Sequence, residues 1–452
     1  MPPATAVITG KEPAITIGSG GAGGDENQTA PEIERIESAA FRHFAWSVHG
    51  VDAMSTHKTS LPKFSGSAIE SALFAKGTGP DAAILIDKAL KRAGRSSFSD
   101  LSFVRPLNVL LKAYAEEADL SFFGRHATRF DLERCLTNLL RLDMAEEENP
   151  TIRVRPIRRP VFITGMPRSA SSFLHMLMSL DPDNAVPRSW QLMYPYPVPP
   201  YIPSLDLRRA RVRLGLRLFH WMAPGLERLH HLSADAPQEC TDITAQVFQS
   251  IRFENTHRVP SYQAWIDRYG HHQAFRFHRR FLQHLDAQAP GRRWILKSPD
   301  HVFALDAIRA VYPDAVIVFL HRDPLSVVSS CAKLAERLRR PFTNHLDTNE
   351  VGRQVSERLV QAADHMVDAA GRIPHILHLH YRDVVADPMA AIRKLYHHCG
   401  FDLGEIAKQR MGAFLNRQRP LSARRYDFAE FGLDPGALRE SFARYVQYFA
   451  VP

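Results

Sequence analysis

Cysteine is scarce in this chain: Cys135, Cys240, Cys331 and Cys399 are the only four in 452 residues. They form no CxxC pair and no cysteine–histidine spacing, which excludes a disulfide-stapled scaffold and a structural zinc site and leaves buried free thiols in a reducing compartment. Long apolar runs are missing too. No stretch approaches the roughly 20 residues of a membrane-spanning helix, and the first residues show no basic segment leading into an apolar one. A cytoplasmic protein without stable membrane insertion is expected. Charge is only mildly one-sided, 57 basic against 48 acidic residues for a net charge of +9. No module of interleaved basic and aromatic residues is visible, so nucleic acid is not an expected partner, whereas an anionic ligand suits the balance.

Hydrophobic residues at 45% and charged residues at 23% are ordinary for a globular protein. Residues 1–30 include Gly18-Ser19-Gly20-Gly21-Ala22-Gly23-Gly24 and few bulky apolar groups, so a disordered tail is expected. Residues 31–155 read as a helical subdomain, with Leu107, Leu110, Leu111 and Tyr114 on one face and Phe130, Leu136, Leu139 and Leu140 on another. The chemistry falls in residues 156–452. Arg153, Arg155, Arg158 and Arg159 lead into that region and read as a solvated approach to its first strand.

Val161-Phe162-Ile163-Thr164-Gly165-Met166-Pro167-Arg168-Ser169-Ala170-Ser171-Ser172-Phe173 carries the clearest signal. An apolar β-rich run, a glycine, a proline, a cation and four small residues precede a helical pattern, which predicts a buried strand, a tight loop and a helix N-terminus. Unpaired N–H groups at that helix end, the helix dipole and the Arg168 guanidinium together make an anion site. Ser169, Ser171 and Ser172 add hydroxyls within reach. A Walker A loop does not fit, because Ser171 stands where the lysine belongs.

Arg293 to Lys297 predicts a second strand, with Ser298-Pro299 as helix cap and first helical residue and His301 in the first turn. Ala315 to Leu320 predicts a third, ending at His321-Arg322 before a helix that carries Ser326 and Ser330. His378 to Tyr381 predicts a late strand. This alternation gives an α/β fold with a parallel sheet whose carboxyl ends gather Arg168, Lys297 and Arg322 at one edge. Cys240, Ile243, Val247 and Ile251 predict an amphipathic helix beginning near Glu239. The segment from Leu205 to Leu232, rich in arginine, reads as a half-buried helix with a solvated basic face.

Taken together, these motifs resemble those of the bacterial sulfotransferases that use 3′-phosphoadenosine-5′-phosphosulfate (PAPS), relatives of the tyrosylprotein sulfotransferases. The loop is similar to their 5′-phosphosulfate loop. Arg322 followed eight residues later by Ser330 is similar to their 3′-phosphate motif, and Leu296-Lys297-Ser298-Pro299 to the segment between. Pro237-Gln238-Glu239-Cys240, Val259-Pro260-Ser261-Tyr262, Tyr381-Arg382-Asp383 and Phe431-Gly432-Leu433 continue the likeness. The resemblance implies a P-loop-like three-layer α/β/α fold with a central parallel sheet. It further implies transfer of a sulfuryl group from PAPS, without metal, to a hydroxyl or amine of a small, partly apolar acceptor.

By the same resemblance Gly165, Pro167, Arg168, Ser169, Ala170, Ser171, Ser172 and Phe173 hold the phosphosulfate, Arg322 and Ser330 hold the 3′-phosphate, and Arg424 and Arg425 cap the cofactor. Arg168 and Lys297 are the implied transition-state cations. Two positions depart from the pattern. Gln191 stands where relatives carry a glutamate after the tryptophan that matches Trp190, which leaves Glu239, preferred, and His301 as candidate bases. Ala170 stands where the loop has a glycine, and it is strained if that position is left-handed. A P-loop-like nucleotide or small-molecule kinase and a catalytically weak PAPS-binding protein are the alternatives.

Overall fold

The computed structural model describes residues 80–196, 206–224, 232–417 and 427–451. The expected tail, Arg424 and Arg425 lie outside the described residues. A five-stranded sheet runs through the centre, built from β1 (Val161–Gly165), β2 (Asn184–Ala185), β3 (Arg293–Lys297), β4 (Val316–His321) and β5 (Leu377–His380). All its pairings are parallel, in the order β2-β3-β1-β4-β5. The helices used below are α1 (Pro80–Ala93), α2 (Val104–Glu116), α3 (Phe122–Glu148), α4 (Ser171–Met178), α5 (Ser189–Met193), α6 (Arg208–Met222), α7 (His272–Gln288), α8 (Pro324–Arg339), α9 (Thr348–Arg372) and α10 (Pro388–Cys399).

Because side chains alternate along a strand, each strand feeds two layers. Val161, Ile163, Ile295, Val318 and Leu320 pack with Leu174 and Leu177 of α4 and Ile392 and Leu395 of α10. Phe162, Leu296 and Phe319 turn the other way, into a larger cluster with Leu136 and Leu140 of α3, Phe281 of α7 and Met366 of α9. The fold is therefore a P-loop-like three-layer α/β/α arrangement. Helices α1 to α3 contribute to that same larger cluster through Leu85, Leu107 and Leu139. The arginines ahead of β1 are partly committed to ion pairs: Arg155 reaches Asp286 of α7 at 2.7 Å, and Arg153 meets Glu146 of α3.

The helix expected from Glu239 onward is interrupted. A short helix at Thr241–Thr244 passes into a single 3₁₀ turn at Ala245–Val247, and Phe248 then takes a left-handed conformation at φ 57°. The Phe248 carbonyl accepts the Tyr262 hydroxyl at 2.9 Å, so a tertiary hydrogen bond competes with continuation of the helix.

The loop after β1 turns sharply. Gly165 sits at φ +114°, and a Cβ there would lie 2.7 Å from the backbone nitrogen of Leu320, so only glycine lets β1 approach β4 at this point. Three and five residues on, Arg168 and Ala170 are left-handed at φ 59° and 66°. Alanine costs about 1–2 kcal/mol in that region, and the rest of the loop holds it there. Ala170→Gly is expected to stabilise the protein by up to about 1 kcal/mol, the relief of strain being offset in part by glycine entropy. Gly165→Ala is expected to leave little folded protein. Thermal melts of the two variants check this, and a lower Tm for Ala170→Gly would contradict the strain argument.

Candidate active site

Three segments converge where the carboxyl ends of β1, β3 and β4 meet. The loop after β1 ends in α4, whose first intrahelical bond runs from the Leu174 N–H to the Ala170 carbonyl at 2.9 Å. The N–H groups of Ser171, Ser172 and Phe173 precede that bond and leave the helix end rich in donors. His175 anchors α4 to the sheet, with Nε2 3.0 Å from the Ile295 carbonyl. Burial pushes its pKa down to about 3, so the neutral ring donates there.

Lys297 closes β3 with its ammonium on the α4 side of the sheet. Its Nζ donates to Ser172 Oγ at 3.0 Å and pairs with Glu239 Oε1. The side chain is only 3% exposed. Glu239 is held in place by its successor, because the Cys240 N–H donates to the Lys297 carbonyl at 3.0 Å. The Ser298 N–H donates to the Ile163 carbonyl at 3.2 Å and the Thr164 hydroxyl to the Pro299 carbonyl at 3.0 Å, which locks the ends of β1 and β3 side by side.

On the other side of β1, Arg168 Nε donates to Ser330 Oγ at 3.1 Å. Arg322 donates to the Arg168 carbonyl and lies over the Tyr381 ring, 3.9 Å from its centroid. Ser330 belongs to α8, whose start is set by the Asp323 carboxylate accepting the Ser326 N–H at 3.0 Å. Arg168, Arg322 and Ser330, spaced over 160 residues of chain, are thus in direct contact, with Lys297, Ser172 and Glu239 on the flank of the same loop. This set can bind an anion with two separated charge centres: one before the α4 end, the other between α8 and β5.

Two sequence expectations look different in three dimensions. His301, expected as an alternative base, stands in the larger core rather than beside Lys297. It is 2% exposed and meets Phe162 edge-on, with ring centroids 5.0 Å apart. Burial and the neighbouring His278 and Lys297 hold its pKa well below the usual histidine value. The 3₁₀ turn Pro299–Phe303 carries it to the face opposite the ammonium, as a core histidine. Gln191, in the glutamate position of the pattern, uses its Oε1 to accept the Arg188 N–H at 3.0 Å and so caps α5.

Asp300 escaped the sequence reading. It follows Ser298, whose hydroxyl donates to its carboxylate at 3.3 Å. Burial, and then the charge of Glu239, push its carboxyl up to about 7. A lone aspartate in a Ser-Pro-Asp turn gives no signal of this, because the shift comes first from burial in the folded chain and then from a glutamate 61 residues earlier.

A model of the sulfotransferase family matches residues 160–405. The omega-hydroxy-beta-dihydromenaquinone-9 sulfotransferases Stf3 of Mycobacterium bovis and Mycobacterium tuberculosis are each 26% identical over 274 residues, 57% of this chain. The match spans 66% of the length of these curated relatives, just under two thirds. Among solved structures, sulfotransferase STF1 of Mycobacterium tuberculosis H37Rv is similar with a TM-score of 0.71 at 29% identity, covering 81% of this chain and 98% of that one. STF9 of Mycobacterium avium gives 0.73 at 25% identity, with 83% and 97% covered. The family match begins one residue before β1, takes in every strand of the sheet and fills more than half of the sequence: this chain belongs to the sulfotransferase family.

Proposed function

We propose that this chain transfers a sulfuryl group from PAPS to a hydroxyl, or to an amine, of a partly apolar acceptor. The contact of Arg168 with both Arg322 and Ser330 carries the reading, because a second cationic centre beside the loop suits a donor bearing a 3′-phosphate, which ATP lacks. Sulfotransferases generally draw on PAPS as their donor. The residues here fit it: glycine at the close approach of β1 and β4, free donors at the start of α4, and cations on both flanks.

When bound, the donor supplies an electrophilic sulfur whose S–O bond to the 5′-phosphate breaks as the acceptor oxygen bonds to sulfur. Lys297, nearly sealed from water, would stabilise the charge that grows on the departing phosphate oxygen, and the first-turn N–H groups of α4 and Arg168 would share it. These groups meet the charge requirement without a metal. Glu239 takes the acceptor proton onto its carboxylate. In the structure that carboxylate neutralises Lys297, so a donor that engages the ammonium also loosens the base from its partner. The relative named for an omega-hydroxylated menaquinone supports an acceptor with a hydroxyl on an apolar body.

Asp300 sets a pH window beside this pair. With its carboxyl near 7 it is neutral on the acid side of that value, leaving Glu239 as the anion opposite Lys297.

Transfer of labelled sulfate from PAPS to a panel of hydroxylated amphiphiles tests the proposal. Lys297→Met is expected to lower kcat by about 10²–10³-fold, and full activity in that variant would refute the role given to the lysine. Glu239→Gln is expected to lose about 10²–10⁴-fold in kcat while still binding the desulfated donor product; a change confined to KM would remove it as the base. The raised Asp300 pKa makes folding take up a proton, so its penalty on stability grows as pH rises from about 4 to about 7 and then levels. Asp300→Asn is accordingly expected to gain Tm over the parent across that interval, and a pH-independent difference would contradict the assignment.

A further inference from the structure

Helix α6 presents its charges and its bulky apolar groups on one outward side. At about 100° per residue, Arg209, Arg213 and Arg217 follow one another along one edge of the exposed arc, and Ala210, Trp221 and Leu214 along the adjoining edge. All six are exposed. The opposite side, with Arg208 and Val212, is buried, and Arg208 lies over the Trp190 ring of α5 at 4.6 Å. Trp221 is 68% and Leu214 43% exposed. Of the large apolar side chains exposed among the described residues, only these two share a helix.

A face turned only to water has no use for a tryptophan and a leucine beside three arginines. A strip of apolar groups flanked by guanidinium groups matches the boundary of an anionic bilayer, with the rings and methyl groups among the acyl carbons and the cations at the phosphates. Arg209 and Arg213 pair with Asp235 at 3.2 and 3.0 Å yet keep 53% and 58% of their side chains exposed. Those pairs also tie α6 to the segment that reaches Glu239 four residues later. The same segment is stitched to α5, with the Ser189 N–H donating to the Ala236 carbonyl at 3.2 Å and the Trp190 N–H to the Ala234 carbonyl at 3.0 Å.

We propose that the outer face of α6 docks the protein reversibly on the surface of a membrane containing anionic phospholipid, beside the segment that carries Glu239. The helix lies in the interface without crossing it; none of the described helices is long and apolar enough to cross a membrane. The proposal stands on the geometry of α6 and holds whatever the acceptor proves to be.

Flotation of the full-length protein with phosphatidylcholine vesicles, with and without phosphatidylglycerol, tests it. The protein is expected to float with the anionic vesicles, to stay behind with neutral ones, and to be released by high salt. Arg213→Gln with Arg217→Gln is expected to weaken binding at least about tenfold, and Trp221→Ser with Leu214→Ser several-fold, while thermal unfolding and binding of 3′-phosphoadenosine-5′-phosphate stay unchanged in both. Failure of the parent protein to float overturns the proposal. So does anionic binding of undiminished strength in the paired Trp221 and Leu214 variant, because the face would then be a polyanion contact without an interfacial component.

Discussion

A buried ammonium ion must be paired, and much of the site follows from that requirement at Lys297. Taking its charge out of water costs several kcal/mol unless a counter-charge and hydrogen bonds replace the hydration. Glu239 and Ser172 provide both. The backbone hydrogen bond from the Cys240 N–H to the Lys297 carbonyl fixes the carboxylate, and the parallel register of β3 with β1 fixes the lysine beside the loop. The pair is consequently preorganised but not inert: an anion of higher charge can replace the carboxylate as the partner of the ammonium.

The loop between β1 and α4 shows the same exchange of stability for placement. Arg168 and Ala170 both accept left-handed backbone, and in return Arg168 turns its carbonyl to Arg322 and its guanidinium to Ser330. An uncommon conformation at two positions, one residue apart, is maintained by the sheet beneath and by α8 beside it, consistent with a loop selected for what it binds. The stacking of Arg322 on Tyr381 adds a flat apolar wall that restrains the guanidinium without neutralising it.

Much of this was legible from the sequence. Strands β1, β3 and β4 are buried on both faces, so they appear as continuous apolar runs, and Lys297, the last residue of β3, and Arg322, just past β4, could be placed at strand ends from the proline and cap residues that follow. The strand β2, two residues long, left no periodic trace. The break at Phe248 was hidden because the apolar spacing continues through it, and only the distant Tyr262 hydroxyl ends the helix. His301 reads differently for a related reason: four residues from the buried Lys297 in sequence, it is rotated into the opposite layer by a 3₁₀ turn, where it packs against Phe162. The shift of Asp300 likewise depends on neighbours that no local pattern names, whereas Gln191 caps α5 through Arg188, three residues earlier.

The central claim is that the cations on both flanks of the β1–α4 loop serve one adenosine ligand phosphorylated at both ends. Calorimetric titration of the protein with 3′-phosphoadenosine-5′-phosphate, with adenosine 5′-phosphate and with ATP tests it most directly. The account predicts binding of the 3′,5′-bisphosphate tighter by about tenfold or more than either ligand lacking the 3′-phosphate, given about 1.5–3 kcal/mol for charged hydrogen bonds from Arg322 and Ser330. Equal affinities, or tighter binding of ATP, would contradict it.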